Sequence, residues 1–112
     1  MHEVSLAQNI VSMAAAEAEK ADRKVVKAVT VRVGAWTCVN PELLLRAFEA
    51  AASEGKAAGA ELRIEVVAPV CFCESCGSRF DPEAFSLVCT RCGGRNVRLQ
   101  QGRELEIVSV EV

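Results

Sequence analysis

Between Val70 and Gly102 the chain drops its hydrophobic rhythm and places two short cysteine pairs, Cys73-x-x-Cys76 and Cys89-x-x-Cys92. A segment of that size and composition cannot bury a core unaided, so it needs a cross-link to fold. Zinc takes four soft or borderline ligands in a tetrahedron, and a Cys-x-x-Cys turn lets two thiolates converge while its own amides bond to the sulfurs. Glycine follows the second cysteine of each pair, at Gly77 and Gly93, where a positive φ is often required. The span from Gly77 to Val88 suits a hairpin that brings both pairs to one ion.

Paired cysteines in a reducing compartment bind metal more often than they form disulfides. The spacing therefore predicts structural Zn(II) held by Cys73, Cys76, Cys89 and Cys92, ahead of a redox dithiol or an iron centre. Four thiolates leave no open position for water, so such a site holds a fold together and hydrolyses nothing. Because its binding free energy is also folding free energy, metal loss is expected to unfold residues 70–102 first. Cys71 extends the first pair to Cys-x-Cys-x-x-Cys, but a single intervening residue makes a poor chelating turn, so it is expected as a small buried hydrophobe. Cys38 is expected to be a packed thiol as well.

Outside this module the pattern is regular. Leu6, Ile10, Met13 and Ala14, widened by Ala7 and Val11, predict an amphipathic helix from about Val4 to Ala21, with Ser5 and Gln8 at capping-box spacing. Val25, Val29, Val31 and Val33 share one face of a strand closed by Gly34. Asn40-Pro41-Glu42 is a strong helix start, and that helix is expected to reach about Gly55 on the apolar set Leu44, Leu45, Phe48, Ala51 and Ala52. Leu62, Ile64 and Val66 then alternate with charged residues up to Pro69. The last run, Glu104 to Val112, has apolar residues at both parities, which predicts a bulge or a strand buried on both sides.

These elements predict an α+β fold: a small sheet with two helices, plus an inserted zinc-ribbon-like domain. Residues 1–69 and 103–112 would form the first domain, and residues 70–102 the insertion. The 112 residues leave room for no more than this. A formal net charge of −2, no tyrosine and few aromatics argue against nucleic acid as a partner. No stretch is long and apolar enough for a membrane span, and the start of the chain lacks the features of a secretory signal, so a cytoplasmic location is expected. No phosphate-cradling loop or nucleophile motif appears, so the chain is not expected to be an enzyme.

The single histidine is His2. The Met1 amine and His2 amide nitrogen can close a five-membered chelate ring, and the His2 amide and Nδ1 a six-membered one. Methionine removal generally needs a small second residue, so Met1 is expected to keep a free amine. A compact nitrogen-rich plane of this kind suits Ni(II) or Cu(II) better than Zn(II), with the Glu3 amide or carboxylate, water or a partner group at the fourth corner. Taken alone, a histidine at position 2 most often marks a frayed terminus.

The order of motifs adds to this reading. Met1-His2-Glu3 followed by a Ser-Leu-Ala helix, Val33-Gly34, Val39-x-Pro41-Glu42-x-Leu44, and Ala47-Phe48-Glu49 resemble the HypA/HybF family. So do Gly59-Ala60-x-Leu62-x-Ile64, the four paired cysteines, and Gly102-Arg103-Glu104-Leu105 through Glu111-Val112. Members of that family insert nickel during [NiFe]-hydrogenase maturation. The resemblance implies a nickel metallochaperone that holds Ni(II) at Met1, His2 and Glu3 in a flexible amino-terminal tail. It also implies structural zinc, a HypB-type GTPase partner and a hydrogenase large subunit as recipient, with neither membrane nor nucleic acid involved. Trp36, Cys38 and Cys71 depart from the family pattern. The rival reading is a zinc-ribbon module for protein or nucleic acid, built on Arg79, Arg91, Arg95, Arg98 and Arg103 but offset by Glu74, Asp81 and Glu83.

Overall fold

The computed structural model describes residues 2–112, which form two compact units. The first comprises the residues up to Arg32, Val39–Glu65 and Glu106–Val112; the second comprises Val33–Cys38 and Val66–Leu105. Compared with the division expected from composition, the turn at 33–38 and the flanks 66–69 and 103–105 group with the cysteine module.

In the first unit, helix α1 (His2–Lys20) packs on helix α2 (Pro41–Ala51). The buried stripe of α1 is Ala7, Ile10, Ala14 and Ala18, whose helical spacing and small side chains let α2 come close with its buried Leu44 and Phe48. Asn40 caps α2 as expected: its Oδ1 accepts from the amides of Glu42 at 3.0 Å and Leu43 at 3.2 Å. Strands β1 (Ala28–Gly34), β2 (Glu61–Val67) and β6 (Leu105–Glu111) form a sheet in the order β2-β1-β6. The Glu61 amide bonds to the Lys27 carbonyl at 3.0 Å and Glu65 pairs with Arg32, so β2 runs parallel to β1, as a crossover through α2 requires. On the other side Lys27 bonds to Glu111 and Arg32 pairs with Glu106, which makes β6 antiparallel.

Several details differ from the periodicity. Helix α1 already begins at His2, so Ser5 lies inside it and the Ser5/Gln8 capping box does not form. Met13 faces solvent, 57% exposed, because the buried stripe is centred on the alanines. Val25 is exposed and Val26 takes the buried place, its amide bonded to the Lys56 carbonyl at 2.7 Å. Helix α2 stops at Ala51, and Leu45 lies on its exposed side. No residue of β6 is fully buried, so the two apolar parities seen in sequence belong to an edge strand and not to one enclosed on both sides.

The second unit is built on β3 (Val70–Cys73), β4 (Arg79–Phe80) and β5 (Val97–Gln101), with β3 in the centre and antiparallel to both neighbours. Cys71 stands opposite Phe80 on one side and Leu99 on the other. Its buried core is only Cys71, Cys73, Phe80 and Cys89, with Val97 and Leu99 packed against it. So small an apolar nucleus matches the expectation that this unit depends on a cross-link. Among the described residues no helix is long and apolar enough to cross a membrane.

Burial separates two neighbouring positions on α2. Phe48→Ala should cost about 3–5 kcal/mol in denaturant unfolding. Leu45→Ala should cost clearly less, about 1 kcal/mol, because its side chain lies outside the buried core and keeps 38% of its surface exposed.

Candidate metal centres

The four cysteines of the paired motifs converge: their sulfurs all lie within 4.8 Å of one another. Cys73 Sγ is 3.7 Å from Cys92 Sγ, and Cys76 Sγ is 3.7 Å from Cys89 Sγ. A tetrahedron with metal–sulfur bonds of about 2.3 Å has edges of about 3.8 Å, so the spacing fits Zn(II). It is far too long for a disulfide, whose sulfurs are about 2.05 Å apart.

Two knuckles with the same hydrogen bonds, sixteen residues apart in sequence from Cys73 to Cys89 and from Cys76 to Cys92, set this geometry. In the first, the Gly77 amide donates to the Cys73 carbonyl at 2.8 Å and the Cys73 amide to the Ser78 carbonyl at 2.9 Å. In the second, Gly93 donates to Cys89 and Cys89 to Gly94, both at 2.9 Å. Gly77 and Gly93 close the two turns at φ of 73° and 74°, a conformation that a side chain would strain.

Amides also aim at the sulfurs. Arg91 and Cys92 donate to Cys89 Sγ at 3.4 Å, and Gly94 donates to Cys92 Sγ at 3.4 Å. These bonds favour thiolates, the form in which cysteine binds metal. Hydrogen bonds from the Ser78 side chain and backbone bring the Cys76 thiol down to about 6, and the Cys92 and Arg91 amides lower Cys89. Cys92 goes the other way: although the Gly94 amide favours its thiolate, the sulfurs of Cys73 and Cys89 push it up to about 11. Four adjacent thiolates cannot all ionise near neutral pH without a cation among them. The donor set thus calls for one.

Cys71 lies outside the cluster, fully buried in the core of the small sheet, and burial raises its pKa. It occupies the packed-thiol position expected of it. Cys38 differs from expectation, being exposed and at a left-handed φ of 60° that ends the 3-10 turn Ala35–Thr37.

Met1, the expected amine donor, lies outside the described residues. His2 and Glu3 are not in a loose tail but form the first turn of α1. Glu3 Oε2 accepts from the Asn40 amide at 3.0 Å, which ties the start of α1 to the cap of α2. That bond and one from its own amide, helped by the charges of His2 and the terminus, hold the Glu3 carboxyl below its usual 4.5 against the opposing effect of desolvation. Glu3 Oε2 is also 3.5 Å from His2 Nε2. Nδ1 is the ring nitrogen that could close a chelate ring with the backbone. The Asn40 clamp is a feature that sequence reading missed; its only trace is an acidic residue in the first turn of one helix and a capping residue at the start of another.

With both sites described, the whole-chain likeness is decisive. Residues 1–112 match the family model described as hydrogenase/urease nickel incorporation, metallochaperone, HypA. The chain belongs to the HypA family. The hydrogenase maturation factor HypA of Chlorobium phaeobacteroides is 42% identical over 113 residues, covering 100% of this chain and 99% of its own length. That of a Synechococcus species is 38% identical over 112 residues with the same coverage. The fold is similar to the solution structure of the Ni metallochaperone HypA from Helicobacter pylori, with a TM-score of 0.66 and 26% identity over 98% of this chain and 96% of that one. A second HypA solution structure gives a TM-score of 0.74 at 28% identity, over 100% of this chain and 96% of that one. The family is one of maturation factors, so the chain is not an enzyme.

Cys73→Ala or Cys92→Ala should abolish stoichiometric zinc in metal analysis and collapse the amide NMR dispersion of residues 70–102. Cys71→Ala should retain zinc and lose only packing, about 1–2 kcal/mol. Full zinc retention in both ligand variants would overturn the four-cysteine assignment.

Proposed function

We propose that this chain carries Ni(II) at its amino terminus and, with a HypB-type GTPase, delivers it to the large subunit of a [NiFe]-hydrogenase in the cytoplasm. Residues 1–69 and 103–112 act as the nickel-binding domain. Residues 70–102 hold Zn(II) through Cys73, Cys76, Cys89 and Cys92. The observation that carries this reading is the full-length family match, which begins at the first residue and so includes Met1-His2-Glu3. The chain has no phosphate-cradling loop, so energy for transfer falls to the GTPase.

The proposed nickel donors are the Met1 amine, the His2 amide and His2 Nδ1, with Glu3 orienting the imidazole. The first turn of a helix offers no carbonyl partner to its leading amides, so the His2 nitrogen gives up no intrahelical bond when the ion displaces its proton. The positive end of the helix dipole opposes a cation there, and the Glu3 carboxylate offsets it. A site with opposing terms and proton-dependent ligands can both load and release, as delivery requires. By contrast, a closed set of four thiolates retains its ion.

His2→Ala should eliminate stoichiometric Ni(II) binding in calorimetry while zinc content and circular dichroism stay unchanged. A short extension before Met1 should do the same, and an extended protein that bound nickel normally would exclude the amine donor. X-ray absorption on untagged protein should show nitrogen and oxygen around nickel and four sulfurs around zinc.

Acid should release nickel by protonating the chelating nitrogens. Glu3 is not the trigger. Because its folded-state pKa is lowered, its bond to Asn40 is fully present above the unfolded value of 4.5 and is lost only as pH falls through the lower folded value. Glu3→Gln should thus weaken nickel binding at neutral pH yet leave the midpoint of acid release where it was. A midpoint moved by a full pH unit would assign the trigger to Glu3 instead.

A further inference from the structure

The two edge strands of the first unit's sheet are protected to different degrees. In the order β2-β1-β6 each outer strand has a neighbour on one side only, so about half of its main-chain groups point away from the sheet. Strand β2 carries the usual safeguard against pairing with another chain: Glu61, Arg63 and Glu65 alternate along it, with Arg63 paired to Glu61 and Glu111, and Glu65 to Arg32. Strand β6 has no such safeguard over Ile107-Val108-Ser109-Val110, which contains neither a charge nor a proline.

A groove lies over this stretch. Met13 and Glu17 of α1 line it together with Ile107, Val108, Ser109 and Val110, around a space of about 320 Å³. Met13 is 57% exposed and Val108 44%, so apolar surface from a helix and from a strand meets water at the same place. All six residues belong to the first unit, and none is a donor of either metal centre.

The edge sets the form of what binds here. Outward N–H and C=O groups that alternate along a strand are satisfied by another strand, while the groove receives its apolar side chains. Charge sets the rest. Glu17 lines the groove, Glu106 and Glu111 flank the uncharged stretch, and no lysine or arginine lines it. The cations that pair with these carboxylates sit elsewhere: Lys20 on α1, Arg32 on β1 and Arg63 on β2. A second copy of this chain would bring its own Glu17, Glu106 and Glu111 to the same seam, like against like.

We propose that the edge of β6 and the groove above it dock an extended segment of another protein, apolar at alternate positions and flanked by lysine or arginine, as an added strand. Such a segment gains main-chain bonds from β6, buries apolar side chains against Met13 and Val108, and meets the flanking carboxylates with its cations.

The test uses full-length, zinc-loaded, isotope-labelled protein and a capped heptapeptide of alternating valine and threonine between terminal lysines. In NMR titration the peptide should shift the amides of Ile107, Val108, Ser109 and Val110, slow their exchange with solvent and move the Met13 methyl signal, leaving β2 unaffected. The same peptide with terminal glutamates should bind on the order of tenfold more weakly. Val108→Lys, which gives β6 the charge that natural edges use, should abolish the shifts while zinc content and circular dichroism stay unchanged. Leu45→Ala, on the exposed side of α2, should bind as the wild type does. Amides of β6 indifferent to the lysine peptide at millimolar concentration would overturn the proposal, as would equal binding of the two peptides. A dimer in sedimentation that Val108→Lys returns to monomer would also sink it, because the seam would then belong to a second copy. Neither nickel nor a GTPase enters these measurements, so failure of the nickel reading leaves this result standing on its own.

Discussion

Four sulfurs gathered within 4.8 Å are the constraint on which the second unit depends. As thiols they form a poor core, and as thiolates they repel, a conflict visible in Cys76 near 6 and Cys92 near 11 within one cluster. A divalent cation at their centre removes both problems together: it stabilises every thiolate and closes the loops of both knuckles. The apolar remainder, chiefly Phe80, Val97, Leu99 and Cys71, is too small to hold three short strands in its absence. A cation held by these four sulfurs would thus be part of this unit's core.

The amino-terminal region obeys the opposite logic. Its described side chains are the exposed imidazole of His2 and the Glu3 carboxylate, which accepts from the Asn40 amide. What the fold supplies is orientation, through α1 beginning at His2 and through Asn40, which caps α2 with its side chain and holds Glu3 with its amide. One residue thereby fixes the starts of two helices. A preformed frame of this kind limits the entropy lost when a ligand is bound at the start of the chain.

Much of this was legible in the sequence, and the reasons differ by element. The knuckles were readable because metal geometry leaves few spacings that work, and the α2 cap because Asn-Pro-Glu satisfies three local requirements at once. The face of α1 was harder. Leucine, methionine and valine outweigh alanine in any hydrophobic pattern, yet close helix packing selected Ala7, Ala14 and Ala18 and left Met13 in water. The β6 parity was misleading for a related reason: apolar residues on both sides of a strand signal enclosure only if something covers them, and coverage is a tertiary property. Contacts that join distant segments, such as Glu3 with Asn40 or Trp36 with Phe85, leave no local signature at all.

The arginines around the knuckles show why composition alone is a poor guide to a partner. Arg98 donates to Glu74 at 2.7 Å and lies over the Phe72 ring at 5.0 Å, while Arg103 lies over Trp36. Both guanidiniums have intramolecular partners, and a phosphate would have to compete with a carboxylate and an aromatic face for them. Such exposed contacts add little stability one by one, so their more significant effect is to direct side chains. Arg98 braces the outer face of β3 against β5, and Arg103 braces the turn that runs on to α2. In this module positive charge serves the arrangement of the chain around its metal, and the basic residues that suggested a nucleic-acid surface are partly accounted for by the fold itself.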